Sequence, residues 1–164
     1  MYQVMELTEH DEACFRRTLA LAALAEQEGN LPIGAVISLD EQIVAEGRNA
    51  IWKPHFNPNR HAEIEALRSV PEALQKAFRR MTMYTTLEPC LMCTGAILLH
   101  RLGRVIYGAA DDYGGASRIF GHMPVYFERA IARTEWIGPA FPKECAPLFS
   151  RVMRLVEARH ADEE

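Results

Sequence analysis

Thr86-Leu87-Glu88-Pro89-Cys90-Leu91-Met92-Cys93 is the stretch on which the reading of this chain turns. Met81 to Thr86 is rich in β-branched and aromatic residues and predicts a strand. Pro89 then opens a helix from Cys90 to about Leu99, because proline suits the first helical turn. Cys90 and Cys93 stand at i and i+3, which puts both sulfurs on one helix face, one turn apart. A single cation can reach both, and the positive end of the helix dipole favours thiolates there. A further ligand stands upstream in His61-Ala62-Glu63, where His61 offers a neutral imidazole.

Two thiolates and one imidazole suit zinc. With only three good ligands, a fourth position is left for water, as in catalytic rather than structural sites. Glu63 lies two residues from His61, about 200° of rotation inside an ideal helix. Both can face one metal only if His61 sits at or before the helix start. Glu63 would then take a proton from metal-bound water and return it to a leaving nitrogen. A lone CxxC is also found as a redox pair, and a fully ligated zinc would be structural. The combination of HxE with a following PCxxC favours the catalytic reading.

The rest of the chain organises around this pair of motifs. Thr8 and Asp11 form a capping-box start and Gly29 a stop, with helix-forming sequence between them. Gly34–Leu39 and Gln42–Gly47 read as a hairpin turned at Asp40-Glu41. Asn49 to Arg60 is loop, His61–Val70 a helix ended by Pro71, and Arg104–Tyr107 a strand. Gly114-Gly115 is loop. A helix follows over Tyr126–Ala130, then a strand over Thr134–Ile137 and a last helix over Glu144–His160. Strands alternating with helices after a hairpin predict an α/β layered domain. The 164 residues fit one such domain, residues 1–164.

Composition narrows the function classes. Apolar residues make up 49% of the chain, net charge is −4 and the pI is about 5.9. That is not the basic balance of a protein holding long nucleic acid mainly through phosphates, although a local basic patch is compatible with it. No stretch of about 18 apolar residues exists and Met1–Leu7 lacks the marks of a secretory leader, so the expected setting is the cytoplasm, away from membranes. Of the four cysteines, Cys14 and Cys145 read as core residues. Arg79, Arg80, Arg101 and Arg104 read as solvated surface. The last residues, Ala161 to Glu164, read as disordered.

At these motifs the chain resembles the cytidine/deoxycytidylate deaminase superfamily, whose signature is H-x-E followed by P-C-x-x-C. Within it the likeness is to bacterial tRNA-specific adenosine deaminases and to free-base deaminases acting on guanine or cytosine. It also runs through Leu31-Pro32-Ile33-Gly34-Ala35-Val36 and Arg104-Val105-Ile106-Tyr107-Gly108-Ala109. The resemblance implies a three-layer fold with a mixed five-stranded sheet between helices, one Zn2+ per subunit, and a homodimer. It implies His61, Cys90 and Cys93 as metal ligands and Glu63 as the catalytic residue. Around the base it places Asn49, the Ala62 backbone, Glu88 and the main chain at Pro89-Cys90. Read by themselves, Asn49 is equally a turn asparagine and Glu88 equally a helix N-terminal charge.

Three departures bear on the substrate. Asn57-Pro58-Asn59-Arg60 replaces the Asp-Pro-Thr usual in the tRNA enzymes, Tyr113 stands where a lysine is usual, and the last helix turns acidic. The expected substrate is therefore a small free base or nucleoside, with adenosine in a tRNA anticodon loop as the close rival. A reading of another class is a non-catalytic, deaminase-like RNA- or partner-binding subunit, whose expected mark is loss of Glu63. Trp52, His55 and Phe56, then Tyr113, Phe120 and His122, are candidates for stacking on a flat ring or for packing on the body.

Overall fold

The computed structural model describes residues 7–161. In chain order these form α1 (Glu9–Gln27), β1 (Gly34–Leu39), β2 (Gln42–Arg48), α2 (Ala62–Ser69), β3 (Thr82–Leu87), α3 (Leu91–His100), β4 (Arg104–Ala109), α4 (Val125–Ile131), β5 (Glu135–Ile137) and α5 (Pro142–Ala161). Two 3-10 helices, Glu72–Arg80 and Ala116–Ile119, lie in segments to which the sequence pattern assigns no element. The disordered end expected from Ala161 on is corrected at its first residue, since Ala161 closes α5. Asp162, Glu163 and Glu164 lie outside the described residues.

The sheet is mixed, with strand order β2-β1-β3-β4-β5. The antiparallel part is the hairpin β1–β2 together with β1–β3, and β3–β4 and β4–β5 are parallel. Asp40 and Glu41 both have positive φ, 49° and 62°, as the tight turn of a two-residue hairpin requires. The fold class is the one expected, an α/β sandwich of helices around a mixed five-stranded sheet.

Two faces of the sheet are covered by different helices. On one lie α1 and α5, joined by Arg151 bonded to Glu26, with the Phe15 ring of α1 stacked at 3.8 Å on Phe141 just before α5. On the other, α2 lies against β2 and β1 and touches α3. Consecutive residues of β3 show the division. Tyr84 bonds Asp11 of α1, whereas Thr85 bonds Glu63 of α2, as the two-residue period of a strand demands. Val36, Ile37, Met83, Val105, Ile106 and Ile97 are fully buried between these layers. Each such side chain contributes about 1.5–3 kcal/mol relative to exposure.

Local signals explain the ends of the elements. The Thr8 side chain accepts from the Asp11 N–H at 3.1 Å while Asp11 accepts from the Thr8 N–H at 2.9 Å, a complete capping box. Gly29, with φ +84°, follows the end of α1. Gly47 lets α2 lie flush on β2, because a methyl group there would fall on the Ala62 carbonyl and the Ala66 amide.

Two further expectations are corrected. Pro89 is not the first helical residue of α3. It precedes Cys90, which is the N-cap. Arg104 is not solvated surface. It donates to the buried Asp11 carboxylate at 2.7 Å and forms an ion pair with Glu135 at 3.0 Å. The sequence reading missed this because the partner lies 93 residues away.

Candidate metal centre and active site

The site is assembled where the N-termini of α2 and α3 meet above the sheet. His61 is the N-cap of α2 and Cys90 the N-cap of α3, and neither makes a side-chain cap hydrogen bond. Each helix therefore leaves first-turn N–H groups without an internal acceptor. Two positive dipole ends converge on one spot, which favours negative charge there. With His61 outside the helix, the angular conflict with Glu63 does not arise.

His61 Nδ1 lies 3.6 Å from both Cys90 Sγ and Cys93 Sγ, and the three donor atoms all fall within 4.8 Å of one another. A tetrahedral zinc with ordinary Zn–S and Zn–N distances would separate a sulfur from a nitrogen by about 3.6 Å. The donor spacing thus fits that ion without rearrangement. The thiols behave as a set that shares protons. The bond from Cys93 pulls the Cys90 thiol down to about 4, against its burial and with help from His61. Its bond to Cys90, together with burial, pushes the Cys93 thiol up. The bond to Cys90 raises His61 although burial opposes it. A divalent cation would displace these protons and relieve the repulsion that keeps the second thiolate from forming.

Glu63 is 4% exposed. Its Oε1 accepts from the Thr85 hydroxyl at 3.1 Å and its Oε2 from the Cys93 thiol at 3.4 Å. Burial, with the Cys90 charge adding to it, pushes its carboxyl above the ordinary carboxylate range. A raised carboxyl beside a triad of metal-type ligands is suited to accepting and returning a proton. Thr85 is a residue that the sequence reading missed. Strand parity was the available signal, since β3 must send alternate side chains to the face carrying α2.

The other candidates around the base divide into two kinds. Asn49 is 1% exposed, and its Oδ1 accepts from the Leu31 N–H at 3.4 Å and the Ile51 N–H at 3.3 Å. Its Nδ2 is buried with no partner among the described residues. Leaving such a donor unpaired is unfavourable by about 1–3 kcal/mol, so it is set to meet an acceptor. Ala62, fully buried, begins α2 with a first-turn N–H.

Glu88 and Pro89 are engaged elsewhere. Glu88 is 5% exposed and accepts from the Asp111 N–H at 3.0 Å, the Ser117 N–H at 3.1 Å and the Ser117 hydroxyl. The Pro89 carbonyl accepts from the Ala116 N–H at 3.1 Å and the Thr94 hydroxyl at 3.3 Å. Both tie the loop after β4 to the start of α3. Among the aromatic candidates, Trp52 lies under the Arg159 guanidinium at 5.3 Å and Phe120 packs edge-on against Trp136. Phe56 and Tyr113 are exposed, at 66% and 80%.

Residues 9–134 match the family model described as MafB19-like deaminase. The chain belongs to that deaminase family. The deaminase is 43% identical over 111 residues to a tRNA-specific adenosine deaminase of Haemophilus influenzae, covering 66% of this chain and 64% of that relative, just under two thirds of its length. It is 32% identical over 145 residues to a tRNA-specific adenosine deaminase of Bacillus subtilis, covering 88% and 89%. A cytosine deaminase of Candida albicans is 34% identical over 114 residues, covering 69% and 75%. A solved structure from a study of A-to-I editing by tRNA:A34 deaminases superposes with a TM-score of 0.70 at 30% identity, covering 84% of this chain and 99% of the other. Guanine deaminase from Bacillus subtilis gives a TM-score of 0.57 at 32% identity, covering 72% and 79%. The deaminase is thus an enzyme of the hydrolytic deaminase class. Membership of that enzyme class sets aside the reading as a non-catalytic subunit.

Proposed function

We propose that the protein hydrolytically removes the amino group from a nucleobase or nucleoside of guanine, cytosine or adenine type and releases ammonia, using one zinc held by His61 Nδ1, Cys90 and Cys93. The observation that carries this is Glu63, buried yet within hydrogen-bond distance of a ligand sulfur. Zinc, when bound, supplies Lewis-acid activation of water at neutral pH. Glu63 takes a proton from the attacking water as its oxygen bonds to the amino-bearing ring carbon. It then delivers that proton to the nitrogen as the carbon–nitrogen bond breaks, and the leaving group departs as ammonia. The Thr85 hydroxyl holds the free oxygen of Glu63 in line. Asn49 Nδ2 and the Ala62 N–H are placed to donate to ring acceptors and fix the base against rotation. Glu88 positions the loop over the site without touching the reacting atoms.

On substrate size, the reading preferred is a free base or nucleoside. The last helix offers few unoccupied cations, with Arg151 paired to Glu26 at 2.7 Å and Arg159 seated over Trp52. Tyr113 projects from the loop after β4 where the tRNA enzymes usually carry a lysine. A second reading, conversion of adenosine to inosine in a tRNA anticodon loop, is favoured by the relatives named for that activity. Under either substrate the proposal includes a single catalytic domain and a homodimer, supported by the exposed Leu91, Met92 and Leu99 on α3. A cytoplasmic setting suits the four free cysteines, and among the described residues no helix is long and apolar enough to cross a membrane.

Ammonia release from a panel of free bases, nucleosides and an adenosine-containing anticodon stem-loop tests the proposal. The expected result is turnover of a small substrate exceeding that of the stem-loop and changing little between low and moderate salt. Efficient, salt-sensitive turnover of the stem-loop alone selects the second reading. No ammonia from any of them by zinc-loaded protein overturns both.

A further inference from the structure

The end of α3 away from the metal ligands faces a different surface. Cys90 and Cys93 stand at its start, and Arg101 follows its last residue, His100. A helix of ten residues separates the two ends by about 15 Å. At the far end an open groove of about 770 Å³ runs between the 3-10 helix Glu72–Arg80, the end of α3, and α4. Its cations come from three segments: Lys76 and Arg79 on the 3-10 helix, Arg101 just after α3, and Arg129 on α4 with Arg133 just after it. All five are exposed. No carboxylate lines the groove, and none of the five takes part in an ion pair among the described residues. One Arg79 nitrogen donates to the Arg133 carbonyl at 2.8 Å and ties one wall to the other. A guanidinium has further N–H donors left for a ligand.

This concentration runs against the chain as a whole, whose net charge is −4. Elsewhere its arginines are largely matched to acids, as Arg17, Arg48, Arg60, Arg80, Arg104, Arg118 and Arg151 are. Here unmatched positive charge is gathered on two walls and stays soluble only by hydration or by an anion. Four of the five are arginines, whose planar fork pairs bidentately with phosphate oxygens. Their spread over three segments suits a chain of phosphates better than one. Two rings stand among the cations, Tyr126 at 48% exposure and the exposed His100, itself edge-on to Phe78. An exposed aromatic ring beside arginines is what an unstacked base needs, and bases are free to stack only where the strand is single.

We propose that this groove binds single-stranded RNA through its phosphodiester backbone, with Tyr126 stacking on a base, at a surface remote from the metal centre. The inference does not depend on the substrate of the active site.

The test is fluorescence anisotropy of a labelled, unstructured RNA oligonucleotide with the zinc-loaded protein at several salt concentrations. Arg129→Ala/Arg133→Ala should raise Kd about tenfold and flatten the log–log salt slope by about 1.4, since each phosphate on a single strand contributes about 0.7. Tyr126→Ala should raise Kd about fivefold or more with the slope unchanged. Lys143→Ala, exposed and outside the groove, should alter neither. Zinc content and melting temperature equal to those of the parent show that each variant is folded. Equal Kd and slope for parent and double variant would overturn the proposal. So would labelled polyglutamate binding as tightly as RNA with the same dependence on Arg129 and Arg133, which would assign the groove to an acidic protein.

Discussion

Two carboxylates are buried on opposite faces of the same strand, and they behave in opposite ways. Asp11, 1% exposed, is bonded by the Thr8 N–H, the Tyr84 hydroxyl and the Arg104 guanidinium. Burial alone would raise its carboxyl, but the Thr8, Arg104 and Tyr84 donors outweigh it and hold the group below its ordinary value of 3.8. Glu63 is buried almost as deeply and receives one hydroxyl and one weak thiol donor. There burial wins and the group is raised. The lesson is that depth does not decide what a buried acid does. The number and strength of its donors do: a fully bonded carboxylate is a fixed strut, and a poorly bonded one retains the capacity to exchange a proton.

That contrast can be broken from either side. The largest effect is expected at the ligands that give Glu63 its purpose. Cys90→Ala should lose both zinc and turnover, read by metal analysis and ammonia release, with a fall in melting temperature because metal binding stabilises the fold. Glu63→Gln should keep the zinc and the melting temperature while lowering turnover by about 10²–10⁴-fold. Near-normal turnover would remove Glu63 from the mechanism.

On the other face the expected loss is of stability. Asp11→Ala leaves the Tyr84 hydroxyl and the Arg104 guanidinium without their shared acceptor. A cost of about 2–4 kcal/mol in denaturant unfolding should follow, reduced from that of a fully buried pair because Arg104 is 24% exposed. Zinc content should be unchanged. The pH dependence has a fixed sign. A carboxyl lowered on folding stabilises the fold above its unfolded pKa of about 4, and that contribution is lost as pH falls through the folded value. The stability gap between the parent and Asp11→Asn should therefore be full at pH 6 and shrink below pH 4. A gap that grows on acidification would contradict the assigned pairing. The smallest effect is expected at Thr85→Val, which removes one hydrogen bond to Glu63. About 0.5–1.5 kcal/mol of stability should be at stake, with a drop in kcat well short of that at Glu63→Gln.

The order of elements and the convergence of His61, Cys90 and Cys93 could be read in the chain because each rests on short-range rules. These are capping at Thr8, the turn at Asp40-Glu41, and one-turn spacing between cysteines. The position of His61 followed from an angular argument, and the structure places it outside the helix. What escaped was non-local or irregular. Glu72–Arg80 is 3-10 helical after Pro71, a residue that signals an end and hides a new beginning. Arg104 looked like surface because nothing near it in sequence reveals Asp11. Glu88 sits beside the ligands yet reaches across to Ser117, 29 residues on, and no local pattern shows which way a carboxylate will turn.

Gly47 carries a consequence that reaches beyond packing. It lies on an edge strand, has no side chain to offer, and would pass for a neutral position in any inspection of the site. Yet α2, which delivers both His61 and Glu63, rests its first turns directly on that residue's bare backbone. The reach of the two side chains toward the cysteines is gauged by the thickness of one missing methyl. Gly47 therefore acts as a calibration point: alanine there would shift the imidazole and the carboxylate together, as a rigid unit, relative to sulfurs held by another helix. Among variants that arise by chance, this position should tolerate no replacement, although it performs no chemistry.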